Sequence, residues 1–163
     1  MRNLLHQYTQ LIDALNKFFG WCLAVIIGVM SILIFWQVVA RYVMGSSLAW
    51  SEELSRFLMI FMIMVGAAVA LGKGSLLAVE IVPELMRDRA KKWLKIATHL
   101  ISFVFYYILI VFGWKLAQNF AGQIAPGTGL SMFWVYISLP IGGGLMLLNS
   151  LSSIIKEFIG EKG

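Results

Sequence analysis

Charge is what this sequence has least of. Of its 163 residues, 13% are Asp, Glu, Lys or Arg, 60% are hydrophobic, and the mean hydropathy is +0.85. That balance excludes an ordinary soluble domain and predicts a membrane protein, with no nucleic-acid partner. Cysteine is nearly absent too: Cys22 stands alone in an apolar run, so neither a disulfide framework nor a thiolate metal site can form. Histidine is limited to His6 and His99; one falls in the N-terminal segment and the other near the start of an apolar run, which does not give haem two facing imidazoles at matching depth. There is no G-x-x-x-x-G-K-[ST] and no legible nucleophile and base pair, so the expectation is no enzyme and no cofactor.

Long uncharged runs are what the sequence has instead. Phe18 to Ala40 contains 23 residues without formal charge, roughly 34 Å of helix against a hydrocarbon core of about 30 Å. Phe57 to Gly72 has only 16, roughly 24 Å, so a second span has to borrow the charged turn from Trp50 to Arg56. Ile96 to Trp114 supplies 19. A polar, Gly- and Pro-marked turn from Gln118 to Gly129 precedes a fourth run that contains Pro140 and Gly142-Gly143-Gly144, where a kink is expected near the proline.

The predicted fold is therefore all-α and membrane-embedded, one domain with spans at about 18–44, 50–72, 94–116 and 130–156. Leu4, Leu5, Tyr8, Leu11, Ile12 and Leu15 recur at three- and four-residue spacing, which predicts an amphipathic N-terminal helix, lying in the interface or prolonging span one. It is not expected to be a signal peptide, since the apolar run behind it is too long and no small-residue cleavage site closes it. Between spans two and three, Pro83 followed by Leu85, Met86, Trp93 and Leu94 among Arg87, Arg89, Lys91, Lys92 and Lys95 predicts a basic interfacial helix. Ten of the thirteen basic residues fall at the termini and in this central loop; Arg41, Arg56 and Lys115 fall on the other side. The positive-inside rule then places both termini in the cytoplasm.

The charges that remain are concentrated in one stretch, ARYVMGSSLAWSEELSRF. Ser51 is expected to cap the second span, with Glu52 and Glu53 in its first turn, where the helix dipole favours anions. Glu52 and Arg56 are spaced for a helical ion pair, and Arg41 approaches from the end of span one. The cluster of Arg41, Glu52, Glu53 and Arg56 admits three readings: a clamp on the hairpin, a lateral contact with a partner protein, or a proton or ion path. Gly66, Ala67, Ala68 and Ala70 in span two, with Pro140 and Gly142 in span four, are candidate packing positions where another helix comes close. The interiors of spans one, three and four hold no Asp, Glu, Lys or Arg, and the chain lacks the paired repeats and midplane ligands of a secondary transporter.

The F-x-Q-V-x-x-R-Y end of span one (Phe35, Gln37, Val38, Arg41, Tyr42), the W-S-E-E-L-x-R block (Trp50 to Leu54, Arg56) and the Leu139-Pro140-Ile141-Gly142 step resemble the small membrane subunit, DctQ or SiaQ type, of tripartite ATP-independent periplasmic (TRAP) transporters. Likeness extends over nearly the full chain. Gly74-Ser75 departs from it, standing where many relatives have a histidine.

The resemblance implies a scaffold in the bacterial inner membrane beside a large, sodium-driven elevator subunit that holds the ion and substrate sites. A periplasmic binding protein would deliver an organic acid, of sialic acid or C4-dicarboxylate type. On this reading Arg41, Glu52, Glu53 and Arg56 fix the outer hairpin against the large subunit. Ser46, Ser47, Leu48, Gln118, Asn119 and Gln123 would offer the docking surface, and membrane lipid is the remaining partner. The alternatives are a stand-alone four-helix exporter and a membrane anchor for a redox complex.

Overall fold

The computed structural model describes residues 2–43, 45, 48–73 and 88–159. Its helices are α1 (Arg2–Val43), α2 (Ala49–Gly72), α3 (Asp88–Asn119), the short α4 (Phe133–Tyr136) and α5 (Ser138–Ile159). Four apolar helical segments are long enough to cross a membrane: His6–Val43, Ala49–Gly72, Leu100–Asn119 and Phe133–Ile155. Ser46, Ser47 and the first part of the expected basic interfacial helix, 83–87, lie outside the described residues; its remainder, 88–95, is helical and runs without a break into α3.

The N-terminal segment and span one form one unbroken helix of 42 residues, about 63 Å long and so twice the thickness of the hydrocarbon core. Its packed face shares Ile12 and the half-buried Tyr8 and Leu15 with the face the leucine spacing predicts, but is shifted toward Thr9 and Asn16. Thr9, Ile12 and Asn16 are buried, whereas Leu11 is 60% exposed. Beyond the last turn, Gly45 takes φ +65, the left-handed conformation in which a helix commonly ends and which glycine adopts without a Cβ penalty.

The helices do not close into a ring. α5 packs on α2, on α3 and more narrowly on α1; α2 also packs on α1, while among the described residues α1 and α3 do not meet. Successive residues on a helix point about 100° apart, and α5 uses that offset at two adjacent glycines. A Cβ on Gly142 would stand 2.9 Å from Met64 Cβ on α2, and one on Gly143 would stand 2.9 Å from Leu109 Cβ on α3. Gly113 of α3 completes the second contact, facing Leu139 and Pro140. Among apolar helices the gain comes from van der Waals contact at short range, which missing side chains permit. Gly66, by contrast, has open space where its Cβ would be, and Ala70 is half-buried. Ala68, Tyr106 and Met146 form the buried cluster where α2, α3 and α5 converge.

The interruption in the last span falls earlier than its proline predicts. α4 ends at Tyr136, Ile137 intervenes, and α5 begins at Ser138. Pro140 thus occupies the first turn of α5, where a missing N–H loses little. The Ser138 hydroxyl donates to Val135 O at 2.6 Å across the step.

A buried amide pair ties three helices together. Asn16 Nδ2 donates to Asn149 Oδ1 at 2.6 Å, and Asn149 Nδ2 donates to both Asn16 Oδ1 and Ala68 O at 3.0 Å. Asn149 is 1% exposed and Asn16 7%. Gly72 lies so close that any Cβ there would fall on the pair. Asn149→Leu should destabilise the fold by about 1 to 2 kcal/mol, because it strands the Asn16 carboxamide. Asn16→Leu in the same background should then add little. A strictly additive loss in denaturant titrations of the detergent-solubilised protein would contradict this coupling.

Candidate functional site

The start of α2 and the α3–α4 loop come together at one end of the molecule. The α3–α4 loop is ordered by its own backbone. Ile124 and Ser131 form an antiparallel bridge; Ala125 N donates to Leu130 O and Met132 N to Gln123 O, both at 2.9 Å. Gly129, at φ +70, turns the tip, and its N–H reaches Ala125 O at 2.9 Å. Ser131 anchors the exit, donating to Ala121 O at 2.7 Å and accepting from Phe133 N at 3.2 Å.

The tip closes on Glu53. One carboxylate oxygen, Oε2, accepts from Gly127 N at 3.0 Å, Thr128 N at 2.7 Å and Thr128 Oγ1 at 3.0 Å. Ionised acceptors form the stronger hydrogen bonds, and here one acid satisfies two loop amides that would otherwise need water. Gly127 is required by the approach: a Cβ there would meet Glu53 Oε2 at 2.9 Å and the Ala49 backbone at 3.1 Å. The sequence places Gly127 and Thr128 in the Gln118–Gly129 turn, expected to face the binding protein, but does not link them to Glu53. The only local signal was a Gly-Thr-Gly step, whose open amides suit a carboxylate.

In place of one four-charge knot, the structure divides the charges into separate parts. Arg56 Nη2 pairs with Glu52 Oε1 at 3.1 Å, with both side chains more than 60% exposed. An exposed i, i+4 pair contributes about 0.3 to 0.5 kcal/mol. Glu53 is given to the loop. Arg41, in the last turn of α1, lines a groove of about 400 Å³ with Gln37, Tyr42, Leu48 and Glu52, and forms no ion pair among the described residues.

Ser51 does not cap α2. Leu48 holds the N-cap position without a side-chain bond, and the buried Ser51 hydroxyl donates backward to Leu48 O at 2.9 Å. Ser55 does the same to Ser51 O at 2.8 Å, and receives Gln37 Nε2 at 3.2 Å from α1. The Gln37 bond joins α1 to α2 through neutral groups. Gln118, Asn119 and Gln123 are exposed and Leu48 is half-buried, so the described members of the expected docking set lie around the start of α2 and the α3–α4 loop. No group of three His, Cys, Asp or Glu side chains that could hold a metal occurs among the described residues.

Four apolar helices, joined through glycine contacts and loop hydrogen bonds, define a multi-pass membrane protein. Residues 30–160 match the DctQ component of tripartite ATP-independent periplasmic transporters. The chain belongs to that family, as a TRAP transporter small permease subunit. It is 30% identical over 119 residues to the sialic acid TRAP transporter small permease protein SiaQ of Vibrio cholerae, a match covering 73% of this chain and 69% of that one. A putative TRAP transporter small permease protein of Haemophilus influenzae is 28% identical, with 99% and 98% covered. The sialic acid TRAP transporter permease protein SiaT of Haemophilus influenzae is 29% identical over 142 residues, which span 87% of this chain but 23% of that longer protein.

Proposed function

We propose that this subunit is the fixed scaffold of a sodium-driven importer of organic acids, with sialic acid as the leading candidate substrate. It braces a large permease subunit and presents its outer loops to a periplasmic binding protein. The family implies a large permease partner, and a relative that contains a region like this chain within a longer permease is consistent with close association. The substrate rests on the names of two relatives. The basic bias of the termini and central loop favours an inner-membrane topology with both termini in the cytoplasm.

The observation that carries the scaffold reading is the Glu53 contact, which ties the start of α2 to a loop 74 and 75 residues further along the chain. A surface held in advance loses less freedom when a partner docks. Gln118, Asn119 and Gln123 form its exposed polar part. Arg41, which forms no ion pair among the described residues, and the apolar faces of α1 and α3 are available to the large subunit. Ala68 of α2 and the glycine step of α5 pack the scaffold's own helices closely.

Proteoliposomes test this directly. The chain alone should move no sialic acid. The chain with its large partner and binding protein should accumulate it when sodium is higher outside. Flux through the isolated chain, or unchanged uptake when the chain is left out, would refute the scaffold role. Triple substitution of Gln118, Asn119 and Gln123 to Ala should weaken binding-protein engagement several-fold while copurification of the membrane subunits is retained.

A further inference from the structure

At the opposite end from Glu53, a groove of about 410 Å³ opens between α1 and the end of α2, lined by Asp13, Asn16, Lys17, Gly20, Trp21 and Lys73 among others. Asp13 has a partner of its own. No ion pair of either lysine occurs among the described residues, and the groove brings two ammonium groups together beside one carboxylate, a net positive lining. Lys73 follows the last turn of α2, where the helix dipole favours a cation and holds it at the rim.

The depth of the groove is set by the helices. Lys17 and Arg41 lie at opposite ends of the apolar part of α1, roughly 36 Å apart along the axis, a little more than the hydrocarbon thickness. Arg56 and Lys73 are likewise separated by roughly 26 Å on α2. When the outer arginines lie at one boundary, both lysines therefore stand at headgroup level on the other. Trp21 is 69% exposed beside them, an amphipathic ring of the kind found at that level, with an indole N–H free to donate. From the lysines toward the membrane interior, Gly20 and Gly28 have nothing within 4 Å of a would-be Cβ, and Ala24 lies between them at helical spacing. The result is a shallow trough along α1, wide enough for an extended chain and flanked by the exposed Trp21 and Val25.

We propose that this groove binds an anionic phospholipid, with its phosphate between Lys17 and Lys73 and the start of one acyl chain in the trough over Gly20, Ala24 and Gly28. Charge complementarity selects the headgroup, and the open trough distinguishes a lipid from a free phosphate ion. The bound lipid would lie over the rim of the Asn16–Asn149 contact and shield it from water.

Native mass spectrometry of the full chain in mild detergent tests the assignment, with phosphatidylglycerol, phosphatidylcholine or inorganic phosphate added in turn. Phosphatidylglycerol should be retained in preference to phosphatidylcholine, and inorganic phosphate should not displace it. The Lys17→Gln/Lys73→Gln double variant should bind it roughly tenfold to thirtyfold more weakly. Gly20→Leu, which fills the trough and keeps both charges, should also lose it. Lys115→Gln, at the other end, should not. Equal retention of the two lipids, displacement by phosphate, or wild-type retention in either groove variant would overturn the proposal. So would a Gly20→Leu protein that keeps its lipid but sheds a copurifying protein, which would mark the trough as a helix contact.

Discussion

Glu53→Ala is expected to release the tip of the α3–α4 loop and to cut binding-protein-dependent uptake by about tenfold or more. The substitution removes the acceptor of three hydrogen bonds. Charge-assisted bonds contribute about 1.5 to 3 kcal/mol each when sheltered. These are part-buried, so a net loss of about 2 kcal/mol in loop order is a reasonable scale. When only a fraction of molecules hold the competent conformation, apparent affinity falls by that fraction, and about 1.4 kcal/mol is already tenfold. Hydrogen exchange at the Gly127 and Thr128 amides should accelerate to match. Glu53→Gln, with one neutral acceptor oxygen, should fall between wild type and Glu53→Ala. Gly127→Ala should resemble Glu53→Ala, because its Cβ would meet both the carboxylate and the Ala49 backbone. Arg56→Ala, which breaks only the exposed pair, should change little. Unchanged protection at Gly127 and Thr128 in Glu53→Ala would remove the basis for the latch.

The features that were legible in the sequence are those set by local chemistry. Uncharged runs identified four spans, because helix length and hydrocarbon thickness are fixed quantities. The Glu52 to Arg56 spacing gave the ion pair, because neighbours on a helix follow from its pitch. Glu53 was less accessible: its partners are 74 and 75 residues away, and a helical rule offers only Arg56. The same limit applies to Asn16 and Asn149, 133 residues apart. Each was visible as an amide in or beside an apolar run, and nothing local linked them. Ser51 was misread for another reason. A hydroxyl near a helix start can accept from a later N–H or donate to an earlier carbonyl, and its direction depends on where the helix begins. Gly66 and Gly142 are equally small, yet only Gly142 faces a close neighbour, since contact depends on which face the partner helix covers.

That last difference supplies a second large expected effect. Gly142→Val should destabilise the protein by about 2 to 3 kcal/mol, at the upper end of overpacking costs. The Cβ would press on Met64 Cβ at 2.9 Å and on the Met64 carbonyl carbon and oxygen at 3.2 Å. Backbone cannot rotate aside as a flexible side chain can, so relief requires α2 to move away from α5. Gly144 sits two residues further on with no atom within 4 Å of a would-be Cβ. Gly144→Ala should therefore be neutral, or stabilising by up to about 1 kcal/mol through helix propensity. Denaturant titration in detergent separates the two, and equal stability would contradict the close-contact account. The displacement should also be felt at a distance. Met64 lies 11 residues along α2 from Glu53, roughly 16 Å, on a helix that is otherwise unbroken. Shifting α2 at Met64 would withdraw Glu53 from Gly127 and Thr128, so those two amides should lose exchange protection in Gly142→Val although neither residue is touched. If their protection stays at the wild-type level while stability falls, the glycine contact and the loop latch are independent, and the row of helices does not transmit strain to its outer surface.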